Sequence, residues 1–330
     1  MNTEIINFWI KDLRGTNQNT YKYALQRAIL LNPQQDISID RLAESFVEIY
    51  WNNVVCFKLR ETNNIAQQPL FHKGILKTAA TLGLSNTTYL HAKKIYPNLT
   101  RRVLDDLDKP FSDILKNPIS RLQYDYKTKS ANGDATGSGW LYEWDIKAGI
   151  RIKTDHIEAL KVLNTALNNL SVYCWALFLE KYNHVPAILN KLEDLKGSRT
   201  IAADIRRFII QNTTNQCFYC QSRVPSDQIE IDHFIPYAYL FDSPIWDLVV
   251  SCVSCNRGTG GKFDQLGDSS LLEQLVVQND QLFQLDRVHF REFVNQSGQF
   301  DFNDRLHREY QASLNAGFSI WKRSGFTSDE

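Results

Sequence analysis

The 330-residue sequence has no excess charge of either sign, because its 37 lysines and arginines equal its 37 aspartates and glutamates. This balance excludes a polycation that binds nucleic acid over its whole surface, so any such contact must come from local clusters of basic residues. The sequence also lacks a long apolar run typical of a membrane span and a basic, then apolar, N-terminal leader. We therefore expect a cytoplasmic protein with no membrane partner.

Cysteine is scarce, and its placement argues against a disulfide framework. Cys56 and Cys174 lie in apolar runs and are expected to be buried thiols. The remaining four cysteines form two Cys-x-x-Cys pairs, Cys217/Cys220 and Cys252/Cys255. Four thiolates at these spacings can converge on one tetrahedral Zn²⁺, which would hold a polar, loop-rich segment in one shape. The pattern predicts a structural zinc site.

Between and beside these pairs are the groups that phosphodiester hydrolysis needs. His233 can accept a proton from water near neutral pH, while Asp232 and Asn256 offer oxygen ligands to a hard divalent cation. An Asp-His pair alone is usually accidental, and Asn256 alone could be an ordinary helix cap. Their position between the two cysteine pairs and directly after the second pair favours a metal-dependent nuclease.

Hydrophobic periodicity predicts a mostly helical N-terminal domain over residues 1–198. Its expected helices cover residues 16–31, about 38–51, 71–84, 154–177 and 186–195. A β-hairpin is expected within this domain, because alternating residues flank the flexible segment 130–139. The alternating residues are Leu122, Tyr124 and Tyr126 before the segment, and Trp140, Tyr142 and Trp144 after it.

The nuclease domain is expected over residues 199–265, beginning with a helix at about 200–210. The patterns of QIEIDHFIPY and WDLVVSC predict two strands, followed by a turn or helix that begins at Asn256. Residues 266–330 form a predicted C-terminal extension, with helical spacing in 269–277, 286–296 and 303–322. The expected fold class is therefore α+β.

The string CFYC…IEIDHFIPYAYLFDSPIWDLVVSCVSCNRG resembles the HNH endonucleases, whose ββα-metal fold carries a His, a mid-loop Asn and a helical His or Asn. The likeness covers roughly residues 214–265. It implies that His233 is the general base and that Asp232 and Asn256 bind a catalytic Mg²⁺ or Mn²⁺. It also implies that the four paired cysteines hold structural Zn²⁺ and that the substrate is DNA.

Two features depart from the family pattern. Asp247 stands where members usually have an Asn that braces the loop carrying the catalytic His, and an ionised Asp can accept but not donate a hydrogen bond. Activity is therefore expected to be weaker or conditional. Three nearby glycines each cost about 1 kcal/mol relative to Ala inside a helix, so either the helix after Asn256 is short or the backbone there approaches a phosphate closely. These glycines are Gly258, Gly260 and Gly261.

Four basic residues near the nuclease segment are candidates for contacts with DNA phosphates. They are Arg206, Arg207, Arg257 and Lys262. The N-terminal domain is larger than a nuclease finger needs, and it is loosely similar to leader regions of HNH proteins from bacterial antiphage and restriction systems. We expect it to bind a partner protein, a sensor or a second copy in a homodimer. Two other functions stay open: a non-catalytic zinc-stabilised DNA-binding or scaffold protein, and an RNase that uses the same site.

Overall fold

A computed structural model describes residues 2–13, 18–64, 66–122, 136–193, 201–286 and 303–322 of the chain. The chain divides into two compact units. Unit 1 comprises Met1–Asn183 and Ile188–Gly197, and unit 2 comprises His184–Ala187 and Ser198–Glu330. The predicted α+β class is confirmed, since helices predominate and two small sheets accompany them. The described part of the predicted C-terminal extension belongs to unit 2.

Unit 1 consists mainly of helices. They are α1 (Asn2–Leu13), α2 (Tyr21–Leu31), α3 (Ile39–Trp51), α4 (Leu70–Thr81), α5 (Tyr89–Ile95), α6 (Leu99–Asp105), α7 (Phe111–Leu122), α8 (Thr154–Glu180) and α9 (Ile188–Glu193). A π-helical turn, Asn52–Cys56, extends α3. The strands β1 (Asp36–Ser38), β2 (Thr136–Ser138), β3 (Tyr142–Asp145) and β4 (Gly149–Ile152) form an antiparallel sheet in the order β1-β4-β3-β2.

Helix α3 begins where the sequence predicts, because the hydroxyl of Ser38 caps it by accepting a hydrogen bond from the backbone N–H of Arg41 at 3.2 Å. Its predicted apolar stripe is buried, including Leu42, Phe46 and Ile49. The four-and-three spacing of these residues places them on one face of the helix. Of the two isolated cysteines, Cys56 is buried as expected, whereas Cys174 is half-buried.

Helix α8 is the longest helix among the described residues and packs against α1, α2 and α9. Leu160, Leu167 and Trp175 on its inner face are buried, and the hydroxyl of Ser171 accepts a hydrogen bond from the indole of Trp9 at 2.7 Å. Contrary to the expectation from the sequence, α8 is long and apolar enough to cross a membrane. A core helix passes the same test, and 39% of the apolar window of α8 is buried, on the face that packs against α1, α2 and α9.

The predicted β-hairpin differs from the observed one. Leu122, which was predicted to begin the first strand, is instead the last residue of α7. The buried residues Ile114, Leu115 and Ile119 follow the helical spacing of that helix. Tyr124 and Tyr126 lie outside the described residues. The observed hairpin pairs β3 with β4, with Trp144 opposite Ile150. Of the aromatic residues predicted for its second strand, Tyr142 and Trp144 lie in β3 and Trp140 precedes it.

Unit 2 combines helices with one two-stranded sheet. Its elements are α10 (Ala203–Asn212), β5 (Glu230–His233), α11 (Tyr237–Leu240), β6 (Leu248–Ser251), α12 (Val253–Arg257), α13 (Ser269–Leu285) and α14 (Asn303–Asn315). Strands β5 and β6, the two strands that the sequence predicts, pair in an antiparallel sheet, and α12 follows directly. Helix α13 extends beyond the predicted 269–277, and most of the predicted helix 286–296 lies outside the described residues.

Helix α12 is short, as the glycines after it predict. It ends at Arg257, and a Cβ on Gly258 would lie 2.7 Å from the Cα of Ser254. Trp321 packs on this turn, since its indole donates a hydrogen bond to the carbonyl of Gly260 at 2.9 Å. Trp321 therefore supports the end of the segment that carries the predicted site.

His72 is an unusual core residue of unit 1. It is fully buried, and its ring lies 4.4 Å from the ring of Tyr50 and 5.7 Å from that of Tyr21, measured between centroids. Neither ring nitrogen of His72 has a hydrogen-bond partner among the described residues. Burial lowers the pKa of His72 to about 3. The folded state therefore keeps this ring neutral at pH values where the unfolded chain protonates it.

We predict that His72→Phe reduces the loss of stability in acid. As pH falls from the ordinary histidine pKa of about 6.5 toward 3, the unfolded wild-type chain gains a proton that the folded chain does not bind. Between pH 7 and pH 4, the free energy of unfolding of the wild type should fall by about 3 kcal/mol more than that of the variant. Thermal or urea unfolding across this range measures the difference. His91→Phe, at an exposed position, is the matched control; parallel curves for wild type and His72→Phe would contradict the prediction.

Candidate active site and zinc centre

The first cysteine pair lies in the loop between α10 and β5. A tight turn brings Cys217 and Cys220 together: the backbone N–H of Gln221 donates to the carbonyl of Cys217 at 2.8 Å, and Gln221 has a φ of 60°. The N–H of Phe218 donates to the carbonyl of Val250 at 2.8 Å, which ties this loop to β6. The loop is thereby placed beside the strand that leads to the second pair.

The second cysteine pair begins α12. Cys252 is the N-cap residue, and its sulfur accepts a hydrogen bond from the backbone N–H of Cys255 at 3.5 Å. All four sulfurs lie within 4.8 Å of one another, and the sulfurs of Cys220 and Cys252 are 3.9 Å apart. A tetrahedral zinc site with Zn–S bonds of about 2.3 Å has sulfur–sulfur edges of roughly 3.8 Å. The cluster therefore fits Zn²⁺.

Burial raises the pKa of the Cys217 thiol to about 11 and raises that of Cys255 as well. These thiols favour the protonated form unless a cation compensates the thiolate charge. A bound Zn²⁺ supplies that compensation and displaces the protons. The chemistry of these two buried donors thus agrees with the geometry of the cluster.

Strand β5 positions Asp232 and His233. They pair with Val249 and Leu248 of β6, and both side chains are largely buried, with exposures of 6% and 5%. The Oδ2 atom of Asp232 accepts a hydrogen bond from the hydroxyl of Tyr219 at 2.6 Å. The Asp232 carboxylate is therefore held from the side of the first cysteine pair.

Lys262 is a buried counter-ion of Asp232. Its side chain has 0% exposure, and its Nζ lies 3.1 Å from Oδ2 of Asp232 and 2.8 Å from the carbonyl oxygen of His233, to which it donates. A side chain in this position does not reach a DNA phosphate. The expectation of a DNA contact at Lys262 is therefore corrected: the ammonium group balances charge inside the site, because an unpaired buried carboxylate is costly.

The His233 side chain is fixed by two neighbours. Its Nε2 lies 3.0 Å from the hydroxyl oxygen of Ser243, and its ring meets the ring of Tyr237 edge-on at a centroid distance of 5.3 Å. These contacts restrict the rotation of the imidazole. A fixed imidazole orientation is what a general base requires.

Asp247 braces the chain that follows His233. Its Oδ1 accepts a hydrogen bond from the N–H of Ile235 at 2.6 Å, and its backbone carbonyl accepts one from the N–H of Phe234 at 2.7 Å. Helix α13 supports this brace, because Asn279 donates to the carbonyl of Trp246 at 2.9 Å. Asp247 therefore makes the accepting hydrogen bond of the predicted brace.

The protonation of Asp247 follows from its burial. Asp247 is fully buried, and burial raises the pKa of its carboxyl well above the ordinary value. Its Oδ2 has no hydrogen-bond partner among the described residues. The site therefore favours a neutral carboxylic acid here, in contrast to the ionised Asp assumed from the sequence.

Asn256 lies in α12, directly after the last zinc cysteine. Its Nδ2 donates to Oε2 of Glu230 at 2.9 Å, and Arg257 donates through Nε to Oε1 of the same carboxylate at 2.7 Å. Arg257 is thus exposed but paired with Glu230. Of the other candidates for DNA contact, Arg207 is exposed, and Arg206 is exposed while donating to the carbonyl of Ile229 at 3.0 Å.

Three residues of the site were not identified from the sequence: Tyr219, Glu230 and Ser243. The position of Glu230, two residues before Asp232 on a predicted strand, places both on one strand face and could have indicated it. Tyr219 lies between two predicted zinc ligands, but nothing in the sequence indicates that its hydroxyl reaches Asp232. Ser243 contacts His233 only because the chain returns through α11.

Comparison with known proteins agrees with this arrangement. Residues 217–263 match the model of a family described as HNH endonuclease. The matched stretch begins at the first cysteine of the cluster and includes Asp232, His233 and Asn256. The resemblance seen in the sequence is therefore confirmed over these residues. Neither the curated proteins nor the solved structures gave a significant match to the chain.

We predict that the intact protein binds one Zn²⁺ per chain and that Cys255→Ser loses it. Removing one of four thiolates opens the site, and structural zinc contributes directly to folding, so the stability of unit 2 should fall by several kcal/mol. Metal analysis by mass spectrometry and thermal unfolding test this prediction. Cys174→Ser, a cysteine of unit 1, should keep zinc; full zinc retention by Cys255→Ser would refute the cluster.

Proposed function

We propose that this chain is a metal-dependent endonuclease that hydrolyses DNA phosphodiester bonds. The proposal proceeds from the HNH match over residues 217–263, which coincides with the segment where the structure holds Asp232, His233 and Asn256 beside the cysteine cluster. His233 acts as the general base, and Asp232 and Asn256 hold a Mg²⁺ or Mn²⁺ ion.

The donor set supports this cation. Carboxylate and amide oxygens are the ligands that hard divalent cations prefer. The two candidate ligands are each held through one atom: Oδ2 of Asp232 by Tyr219, and Nδ2 of Asn256 by Glu230. We assign the other oxygens, Oδ1 of each residue, to the cation. When bound, the cation stabilises the negative charge that develops on the phosphate and on the leaving oxygen.

In the proposed reaction, His233 accepts a proton from a water molecule as the water oxygen bonds to phosphorus. The bond between phosphorus and the ester oxygen on the opposite side breaks, and that oxygen leaves. Ser243 supports this role by fixing the imidazole, and Asp247 by bracing the backbone immediately after it. These residues act on the transition state, so their loss should affect turnover more than DNA binding.

Asp247 also motivates a second candidate function, a zinc-stabilised DNA-binding or scaffold protein without turnover. A buried, partly unsatisfied carboxyl in the brace is compatible with such a loss. An RNase would use the same groups as the DNase, and a direct comparison of the two polymers separates them. Activity on DNA is the function that the family match favours.

For unit 1, we propose binding of a partner protein, a sensor or a second copy, in a cytoplasmic antiviral defence or restriction system. Helix α8 supports a contact role, since Val162, Tyr173 and Leu177 on its outer face are 73%, 53% and 42% exposed. Apolar side chains at these helical spacings form a stripe that is suited to protein contact. One nuclease site cuts one strand, so a homodimer would explain cleavage of both strands.

The first test of function is plasmid nicking by the full chain with Mg²⁺ or Mn²⁺. We expect nicks that require the metal, and His233→Ala should lower their rate by about 10²–10⁴-fold, the usual contribution of a general base. His91→Ala, an exposed histidine of unit 1, should cut normally. DNA binding without metal-dependent nicks would instead establish the scaffold function, and faster cleavage of RNA would establish the RNase.

The second test concerns Asp247. Asp247→Asn keeps an oxygen for the N–H of Ile235 and presents a donor at every pH, whereas Asp247 does so only while its carboxyl is protonated, so the variant should raise nicking. Asp247→Ala leaves that buried N–H unbonded, which should cost about 1–3 kcal/mol of stability and lower nicking. Initial nicking rates and urea unfolding measure both variants. An unchanged or lower rate for Asp247→Asn would contradict this account of the brace.

A further inference from the structure

The carboxylate of Glu230 joins the two residues that follow the last zinc cysteine. Its Oε2 accepts from Nδ2 of Asn256 at 2.9 Å, and its Oε1 accepts from Nε of Arg257 at 2.7 Å and lies 2.6 Å from Nη2. The Glu230 side chain is only 19% exposed, while that of Arg257 is 67% exposed. Arg257 therefore covers the carboxylate from the solvent side.

We propose that Glu230 is a positioning residue that fixes the orientation of the Asn256 amide, so that Oδ1 of Asn256 faces the catalytic cation. This inference rests on the proposed function. A side-chain amide has a donor end and an acceptor end, and the two are similar in shape. An ionised carboxylate only accepts hydrogen bonds, so Glu230 selects the amide nitrogen and turns the amide oxygen away from itself.

The backbone of Asn256 is already fixed, which leaves only its side chain to be oriented. The N–H of Asn256 donates to the carbonyl of Cys252 at 3.0 Å, and its carbonyl accepts from the N–H of Phe263 at 2.9 Å. The zinc cluster and the glycine turn thus hold the α-carbon in place. Glu230 supplies the remaining constraint.

Strand geometry places Glu230 on the side of β5 where the other candidate ligand lies. Glu230 and Asp232 are two residues apart on β5, so their side chains point to the same strand face, while Ile231 points to the other. An amide held by Glu230 is therefore on the Asp232 side of the strand. Removing a residue that hydrogen-bonds a metal ligand without contacting the metal typically weakens metal binding by about 10–100-fold.

Arg257 completes the arrangement by neutralising Glu230. Its Nε and Nη2 both contact Oε1, which leaves Oε2 to accept the hydrogen bond from Asn256. A Gln at position 230 would have one oxygen and one amide nitrogen in place of two oxygens. Arg257 would take that oxygen, and the nitrogen would face the donor end of Asn256.

The test measures Mn²⁺ binding without turnover. Each variant is made in the full chain carrying His233→Ala, mixed with duplex DNA, and titrated with Mn²⁺ while the free ion is followed by electron paramagnetic resonance. We expect Glu230→Gln to weaken Mn²⁺ binding by about 10–100-fold. Zinc content and melting temperature should stay at wild-type values. Asp227→Asn, which removes an exposed carboxylate just before β5, should bind Mn²⁺ normally.

Rescue separates positioning from a general structural role. Asn256→Asp alone places two carboxylates against each other and should also weaken Mn²⁺ binding. In the double variant Glu230→Gln with Asn256→Asp, the Gln nitrogen can donate to the new carboxylate, whose second oxygen then faces the cation. We expect the double variant to bind Mn²⁺ at least tenfold more tightly than Glu230→Gln alone.

Two results would overturn the inference while leaving the nuclease proposal intact: normal Mn²⁺ binding by Glu230→Gln, or no recovery in the double variant. The second result would indicate that Glu230 is itself a ligand. If the parent chain binds no Mn²⁺ beside DNA and the wild type makes no metal-dependent nicks, the proposed function fails instead. The nicking assay of the wild type therefore distinguishes the two failures.

Discussion

The convergence of four cysteine sulfurs is the constraint on which the candidate site depends. It joins the loop of Cys217 to the start of α12, two segments more than 30 residues apart in the sequence. Strand β5 lies between them, and its pairing with β6 leads directly into the second cysteine pair. Because the ends of this segment are held together, Asp232 on the strand and Asn256 on the short helix are brought to the same region.

Buried charges then set the chemistry of this region. Lys262 has no solvent exposure and lies 3.1 Å from Asp232, so the carboxylate stays compensated in a site that excludes most water. Asp247 is also buried and close enough to interact with Lys262, but its pKa is raised and it serves as a brace through Ile235. Lys262 pairs with Asp232, while Asp247 accepts from the N–H of Ile235, so the two acidic residues near His233 have different partners. Glu230 has its own cation in Arg257.

The parts of this structure that follow from local pattern were predictable. The cysteine spacing, the strand that carries Asp232 and the start of α3 near Ser38 are all short-range signals, and each is present in the structure. The hairpin was misplaced because Leu122, the first residue of the alternating pattern, is the last residue of helix α7, and the observed hairpin pairs β3 with β4. Burial of Lys262 and its contact with Asp232 depend on the turn after α12, so a basic residue near the site was read as a DNA contact. Contacts made by chain return, such as Ser243 with His233, have no sequence signature.

Reversible removal of zinc from the intact protein tests the central claim most directly. If the sulfur cluster holds the nuclease groups in place, chelation should abolish nicking and Mn²⁺ binding together, while the helical circular dichroism of unit 1 largely remains. Restoring one Zn²⁺ per chain should restore both activities. A zinc-free protein that nicks DNA at the rate of the zinc-bound form would contradict the account, because the site would then be assembled without the cluster.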